Sequence, residues 1–110
     1  MNQIWPHEPQ GQELEDLTQL FKALGDPSRV KILFQIGISE ACVSDVADKL
    51  NISESAVSHH LHILRMNGLV RRHREGKTIF YQIKDDHVRS IIAQGCEHIE
   101  ESHMGKPTIQ

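Results

Sequence analysis

The sequence predicts a mostly α-helical fold with five helices and one small β-hairpin. Apolar residues recur at helical spacing in five stretches of the chain, and the period changes in two short stretches before the fifth. Capping residues and glycines bound most of these stretches. The length of 110 residues allows one domain, with a core only just large enough to fold alone.

Composition and charge favour a soluble cytoplasmic protein with a local basic patch. No apolar run approaches the roughly 18 residues that cross a membrane, and the N-terminus lacks the basic start and apolar stretch of a signal peptide. The two cysteines form no disulfide framework, which fits a reducing compartment. The net charge is −3, but residues 65–77 hold five basic side chains against one acidic one, a patch that can dock phosphates.

The first half of the chain predicts a flexible arm followed by three helices. Residues 1–11 hold two prolines and few apolar side chains, which is typical of a mobile arm. Apolar residues at helical spacing predict a first helix over residues 12–24, which Gly25 ends. Asp26 as N-cap and Pro27 at the first helical position begin the second helix. The second and third helices are predicted over residues 27–37 and 43–50.

A turn over residues 51–53 leads into a fourth helix, with the serine of this turn as its N-cap. Val57, Leu61 and Leu64 form the apolar stripe of this helix, and Gly68 ends it. Two short strands and a last helix follow. The strands are predicted over residues 69–73 and 78–83 around a turn at 74–77, the last helix is capped by Asp85 or Asp86 and ends at about Ser102, and residues 103–110 are expected to be disordered.

Two helices joined by a three-residue turn, followed by a basic hairpin, predict a winged helix-turn-helix within residues 12–102. The fourth helix would be the recognition helix, called the reader helix below, which contacts bases in the major groove. Its apolar stripe faces the core and its opposite face is polar. His60 lies toward the apolar side and is predicted to be partly buried. A merely solvated polar face is the competing interpretation. The candidate DNA-binding residues are Ser55, Ser58, His59, His62 and Arg65 on the helix, and Arg74 and Lys77 at the hairpin tip.

The last helix carries four side chains of the metal-ligating type. His98 and Glu101 are neighbours on one face. His87 returns to nearly the same face but lies about 16 Å from His98 along the helix, too far for one ion with Zn–N bonds of about 2.1 Å. Two antiparallel copies of the helix would bring Asp85 and His87 of one chain to the other pair of a second chain, forming two zinc sites. Ordinary exposed polar residues are the competing interpretation.

Four segments and one pattern carry a resemblance to a known family. The segments are Asp26-Pro-Ser-Arg-Val-Lys-Ile-Leu, Cys42-Val-Ser-Asp-Val-Ala, Ser53-Glu-Ser-Ala-Val-Ser-His-His-Leu, and Gly68-Leu-Val followed by the basic hairpin. They resemble the ArsR/SmtB family of bacterial metal-sensing repressors over about residues 12–102. The D-x-H-x10-H-x2-E pattern that begins at Asp85 is similar to the last-helix site of the zinc-sensing subgroup.

The resemblance implies a homodimer that packs through the first and last helices. It further implies that the metal-free dimer binds an imperfect inverted repeat in operator DNA, represses transcription, and loses DNA affinity when metal binds. Ser55, Ser58 and His59 match the reader contacts of the family. The resemblance also implies that His98 donates from its second ring nitrogen to a backbone carbonyl around Gly68, which would link the metal site to the reader helix.

The family pattern also includes a second metal site, which this chain matches only in part. Cys42 and Asp45 match third-helix ligands and His7 stands in the arm, but Ser44 replaces the second cysteine of soft-metal sensors. A thiol-rich site is therefore not expected, while a weaker site of His7, Cys42 and Asp45 remains open. Nickel and cobalt stay alternatives to zinc, because His103 offers a further ligand near the last-helix site.

Other functions are less well supported by the sequence. A repressor switched by oxidation of Cys42 and Cys96 is one alternative, although neither thiol has a flanking cationic side chain apart from His98. An enzyme acting on a small organic substrate is not expected, because the sequence holds no zinc-protease motif, nucleophile elbow or phosphate loop. A further alternative is a zinc buffer that binds no DNA. This function would not explain the polar face of the fourth helix or the basic hairpin.

Overall fold

The predicted five helices and hairpin are present in the computed structural model, which describes residues 3–104 and the side chains of residues 3–102. The helices begin where the sequence predicts, and α2, α4 and α5 begin at predicted capping residues. The elements are α1 (Gln12–Leu24), α2 (Pro27–Ile38), α3 (Val43–Leu50), α4 (Glu54–Met66), β1 (Val70–Glu75), β2 (Thr78–Ile83) and α5 (Asp86–Met104). This arrangement confirms the winged helix-turn-helix predicted from the sequence.

Local capping explains where α2 begins. Asp26 Oδ2 accepts a hydrogen bond from the backbone N–H of Arg29 at 3.1 Å. Pro27 occupies the first turn, where a missing N–H costs no helical hydrogen bond. The hydrogen bond from the Arg29 N–H holds the pKa of the Asp26 carboxyl below its ordinary value, and the positive charge of Arg29 adds to this effect.

The apolar core lies between α2, α3, α4, the hairpin and the first turns of α5. Its centre is α4, whose stripe residues Val57, Leu61 and Leu64 are fully buried. Each such burial stabilises the fold by roughly 1.5–3 kcal/mol relative to exposure. The helix α1 contributes one fully buried side chain, Ala23, and so packs by one edge. The buried core residues are Ala23, Ile32, Leu33, Ile36, Val46, Ala47, Val57, Leu61, Leu64, Leu69, Val70, Tyr81, Ile83 and Val88.

The end of α4 is a Schellman motif that leads directly into the hairpin. The N–H of Leu69 donates to the carbonyl of Leu64 at 2.9 Å, and the N–H of Gly68 donates to the carbonyl of Arg65 at 3.0 Å. Gly68 has φ 71°, which favours glycine at this position. Because Leu69 is held by the helix, β1 begins one residue later than the sequence predicts, at Val70.

The hairpin turn is tighter than the sequence predicts. Glu75 pairs with Thr78, so β1 continues two residues beyond its predicted end and the turn consists of Gly76 and Lys77 alone. Gly76 has φ 65°, the positive φ that a two-residue hairpin turn requires. The predicted four-residue turn over residues 74–77 was therefore wrong, and Arg74 belongs to a strand.

The two ends of the described chain differ in structure. Residues 3–11 of the predicted arm form no helix or strand, and its flexibility stays a prediction. The helix α5 continues past Ser102 to Met104, so the first two residues of the predicted disordered tail are helical. Neither glycine nor proline interrupts the sequence between Gly95 and Gly105, which explains the longer helix. The rest of that tail lies outside the described residues. Within the described chain, every helix is too short or too polar to span a membrane.

Candidate nucleic-acid interface and metal ligands

The helix α4 presents a polar face opposite its buried stripe. Ser53 Oγ accepts a hydrogen bond from the N–H of Ala56 at 3.1 Å and so begins the helix. Arg65, in the last turn, is half-buried, which leaves less of its side chain available at the surface than the sequence predicts. The exposed predicted reader residues are Ser55, Ser58, His59 and His62.

A tight turn sets the position of α4 against α3. Asn51 adopts the left-handed conformation (φ 57°, ψ 46°) after the last residue of α3. The N–H of Ile52 then donates to the carbonyl of Ala47 at 3.2 Å. Asparagine tolerates this conformation better than most side chains. The turn thus forms the helix-turn-helix unit that projects the polar face of α4 outward.

Arg29 connects three helices in a way that the sequence analysis missed. Its Nε donates to the carbonyl of Ala23 at 2.7 Å and its Nη2 to the carbonyl of Lys22 at 3.3 Å, both at the end of α1. Its Nη1 lies 3.3 Å from Nδ1 of His60 on α4. His60 is half-buried, as predicted. Arg29 therefore helps to set the position of the reader helix, and the only sequence signal for it was its place in the α2 cap.

The hairpin places a basic wing beside α4. Its strands pair antiparallel from Val70 with Ile83 to Glu75 with Thr78. Arg72 Nη1 donates to the hydroxyl oxygen of Tyr81 at 3.5 Å, whereas Lys77 lies exposed in the turn. The exposed basic side chains of the wing are Arg71, Arg72, Arg74 and Lys77.

The first pair of candidate metal ligands lies at the start of α5. Asp85 Oδ1 accepts a hydrogen bond from the N–H of Val88 at 3.2 Å, which makes Asp85 the cap of the helix. This bond lowers the pKa of the Asp85 carboxyl, and the nearby His87 lowers it further. Asp85 Oδ2 lies 3.7 Å from His87 Nδ1, and the His87 side chain is 95% exposed.

The second pair of candidate ligands, His98 and Glu101, lies farther along α5 and is exposed. Between residues 3 and 102, neither side chain joins the other pair in a group of converging donor atoms. Nor does any side-chain hydrogen bond to a carbonyl in this part of the chain involve His98, so no such bond joins it to a carbonyl around Gly68. One chain therefore keeps the two pairs of ligands apart.

The residues of the second predicted metal site are not brought together within one chain. His7 Nε2 lies 3.2 Å from Glu13 Oε1, beside α1. Cys42 Sγ lies 3.3 Å from Ser44 Oγ at the start of α3, and Asp45 is exposed on the same helix. Cys42 is half-buried and Cys96 is exposed, and both are free thiols. The side chain of His103 lies outside the described residues.

The outer sides of α1 and α5 each expose apolar side chains. Cys96 is also exposed on α5. Beside α1, an open cleft of about 1260 Å³ lies between residues 3–9, α1 and the end of α4. The exposed apolar side chains are Leu14 (48% exposed), Leu17 (41%) and Phe21 (60%) on α1, and Ile91 (38%) and Ile99 (56%) on α5.

Comparison with known proteins gives a consistent result. A family model described as "Bacterial regulatory protein, arsR family" matches residues 26–72, which run from the cap of α2 into β1. The chain is 35% identical over 102 residues to the transcriptional repressor SmtB homolog of Synechocystis sp., covering 93% of this chain and 77% of that protein. It is 37% identical over 87 residues to the cadmium resistance transcriptional regulatory protein CadC homolog of Staphylococcus aureus, covering 78% and 72%.

A solved structure supports the fold independently. The homodimeric winged helix-turn-helix DNA-binding domain from Mycobacterium bovis superposes with a TM-score of 0.81 over 94% of this chain and 100% of that one. The two sequences are 23% identical. At this identity, the likeness concerns the fold of the chain.

Proposed function

Because the chain belongs to the ArsR family of bacterial regulatory proteins, we propose that it is a zinc-responsive transcriptional repressor. Its homodimer binds operator DNA without metal and leaves the DNA when zinc binds at α5. The observation that carries the metal part of the proposal is the exposure of two separated ligand pairs on one helix. The relatives described above are transcriptional regulators, and one is named for cadmium resistance.

The DNA-binding part rests on the polar face of α4 and the basic wing. Ser58 and His59 project from the side of α4 opposite its buried stripe, and short hydroxyl and imidazole groups suit base edges and phosphates. Lys77 extends the surface at the wing tip, where a cation contacts phosphate or the minor groove. The overall charge of −3 does not oppose this, because the positive charge is concentrated where the surface would meet DNA.

The homodimer part rests on the exposed apolar side chains of α1 and α5. Phe21 is 60% exposed and Ile99 is 56% exposed, and apolar faces of this kind mark interfaces. A second copy of the chain would cover both helices at once, since a two-fold interface uses the same patch on each subunit. This pairing would place the two α5 helices side by side and antiparallel.

The α5 residues suit zinc by their chemistry. Two imidazole nitrogens and two carboxylate oxygens form a donor set that a tetrahedral Zn²⁺ site accepts. Asp85 and His87 of one chain and the His98–Glu101 pair of the other would hold each ion. When bound, zinc supplies a closed four-coordinate link with no open position for a substrate.

The attachment of α5 to the rest of the chain suggests how its movement would reach the DNA-binding surface. Val88 is buried in the core near the start of α5. Arg89 Nη1 donates to the carbonyl of Gly37 at 3.1 Å and so fastens the same turn to α2. A change in the angle between the two α5 helices would thus turn both DNA-binding units relative to each other. A coupling of about 1–3 kcal/mol then changes DNA affinity about 5- to 150-fold.

The proposal is tested by DNA binding in the presence of metals. Fluorescence anisotropy with a duplex from the promoter of the chain's own gene would follow titrations with zinc, nickel and cobalt at fixed salt, because salt alone changes such affinities. We expect the metal-free protein to bind the duplex and one zinc ion per chain to release it.

Two other outcomes of this titration would change the proposal. Release by nickel or cobalt but not by zinc would move the sensing to a higher-coordinate site that includes His7 or His103. Tight binding that no metal alters would contradict metal sensing. Release by an oxidant that is lost in a Cys96→Ser variant would then favour the redox-switched repressor.

Mixed dimers test whether each metal site is shared between two chains. One chain carries His87→Ala and the other carries His98→Ala, which spares Asp85 and its cap on α5. Ligation across chains leaves one intact site in each mixed dimer and none in either variant homodimer. We therefore expect half the zinc stoichiometry of the unmodified dimer, measured by calorimetry. Zero or two sites in the mixed dimer would rule out ligation across chains.

A further inference from the structure

We infer that the chain holds another divalent-cation site, formed by Glu40 before α3 and by His73 and Glu75 in the half of β1 nearer the wing tip. One donor atom from each side chain lies within 4.8 Å of the others. His73 Nε2 lies 2.9 Å from Glu75 Oε2 and 3.5 Å from Glu40 Oε1. The α5 and α3 residues discussed above take no part in this group.

These distances match those between neighbouring ligands of one metal ion. With metal–ligand bonds of about 2.1 Å, two donors lie about 3.0 Å apart at a right angle and about 3.4 Å apart at the tetrahedral angle. The two distances from His73 Nε2, 2.9 and 3.5 Å, lie close to these values. A cation between His73 and the two carboxylates would therefore need little movement of the side chains.

The backbone holds the three side chains in place. His73 and Glu75 are two residues apart on β1 and thus lie on one face of the strand. The ring of His73 stacks on Phe80 of the paired strand, with centroids 5.9 Å apart. Glu40 precedes Ala41, which exchanges two backbone hydrogen bonds with Tyr81 of β2, of 3.1 and 2.8 Å. The loop before α3 is thereby fixed to the hairpin beside His73.

Charge favours a divalent cation over a proton at this position. With a neutral imidazole the two carboxylates leave a charge of about −2, and protonation of His73 removes only half of it. A divalent cation balances both carboxylates. Two oxygens and one imidazole nitrogen suit Mn²⁺, Co²⁺, Ni²⁺ or Zn²⁺ rather than a soft cation. The side chains are 36–64% exposed, so water can complete the coordination.

The site would act on DNA binding in the direction opposite to the α5 site. A cation bound at Glu75, near the wing tip, removes negative charge close to Arg74 and Lys77 and so raises the affinity for phosphate. This consequence rests on the proposed DNA binding by the wing. The cation site itself does not depend on DNA binding, and its test contains no DNA. The cation site and the proposed DNA binding can therefore be contradicted separately.

The test uses the full chain with His87→Ala, His98→Ala and His103→Ala, which removes the three imidazoles of α5, and CoCl₂ as the probe. We expect calorimetry to show that this variant still binds one Co²⁺ per chain. Adding His73→Gln or Glu40→Gln should weaken that binding by at least about tenfold. The control Asp48→Asn, at an exposed carboxylate of α3, should leave it unchanged.

Two results would overturn the inference. One is the absence of any further Co²⁺ in the chain that lacks the α5 imidazoles. The other is a Co²⁺ whose affinity is unchanged by both His73→Gln and Glu40→Gln, because the ion would then lie elsewhere, for example at Cys42. The three residues come from a loop and a strand, and circular dichroism of each variant confirms that a loss of binding is not a loss of folding.

Discussion

We expect His98→Ala to abolish the release of DNA by zinc while leaving metal-free DNA binding intact. His98 is exposed on α5, apart from the core and from the polar face of α4, so its removal should not disturb the fold or the DNA-binding surface. Without its imidazole each shared site keeps three of its four ligands. A zinc effect of about 100-fold on DNA affinity should fall to nearly none, measured by anisotropy with and without zinc.

A control on the same helix separates a role in sensing from a structural one. Ser90 is exposed on α5, on the side opposite the buried Val88, so Ser90→Ala should keep the full zinc response. Loss of metal-free DNA binding in His98→Ala would instead assign His98 a structural role. An unchanged zinc response would show that α5 is not the sensing site.

We expect Ser58→Ala combined with His59→Ala to lower operator affinity by about 10- to 100-fold. Each contact to a base edge is worth about 1–3 kcal/mol, and both side chains are exposed on α4. The stability of the domain should change little, because Val57 and Leu61 bury the opposite side of the helix. Anisotropy with the operator and with a scrambled duplex distinguishes specific from non-specific binding.

The zinc stoichiometry of this double variant should equal that of the unmodified protein, since α4 holds none of the proposed zinc ligands. Ser90→Ala with Gln94→Ala on α5 provides a matched pair of substitutions that should leave operator affinity unchanged. Operator binding that survives Ser58→Ala and His59→Ala would mean that the reader face is assigned wrongly.

The α5 and α4 variants test separate parts of the molecule, because α5 is attached to the rest of the domain mainly near its start. The proposed DNA-binding surface consists of α4 and the wing, whereas the proposed zinc ligands lie on α5 and, in the case of Asp85, at its N-cap. The rest of the domain contacts α5 mainly near its start. There Val88 is buried in the core, and Arg89 donates a hydrogen bond to the carbonyl of Gly37. The remainder of α5 is largely exposed and is free to pair with a second copy.

Much of the fold was predictable because its signals are local. Asp26 and Ser53 cap the helices that follow them, as their side chains and positions indicate. The spacing of Val57, Leu61 and Leu64 identified the buried side of α4, and thereby the polar side that faces outward. Each of these signals depends on residues within one or two helical turns.

The hairpin shows where local signals were insufficient. Charged residues at positions 74 and 75 resemble a turn in composition, but cross-strand hydrogen bonding extends β1 through Glu75. Gly76 allows a two-residue turn, and the shorter turn gains one more residue pair for the sheet. Strand pairing, which the sequence does not display, therefore decided where the turn lies.

The sequence by itself determined the order and the starts of the helices, the polar face of α4 and the spacing of the candidate ligands at α5. Only the tertiary structure decided that Arg29 contacts His60 and that Glu40 lies against His73. These partners are far apart along the chain, and periodicity describes one element at a time. Their proximity depends on how α2, α4, the loop before α3 and the hairpin pack on the shared core, and packing depends on all of those elements together.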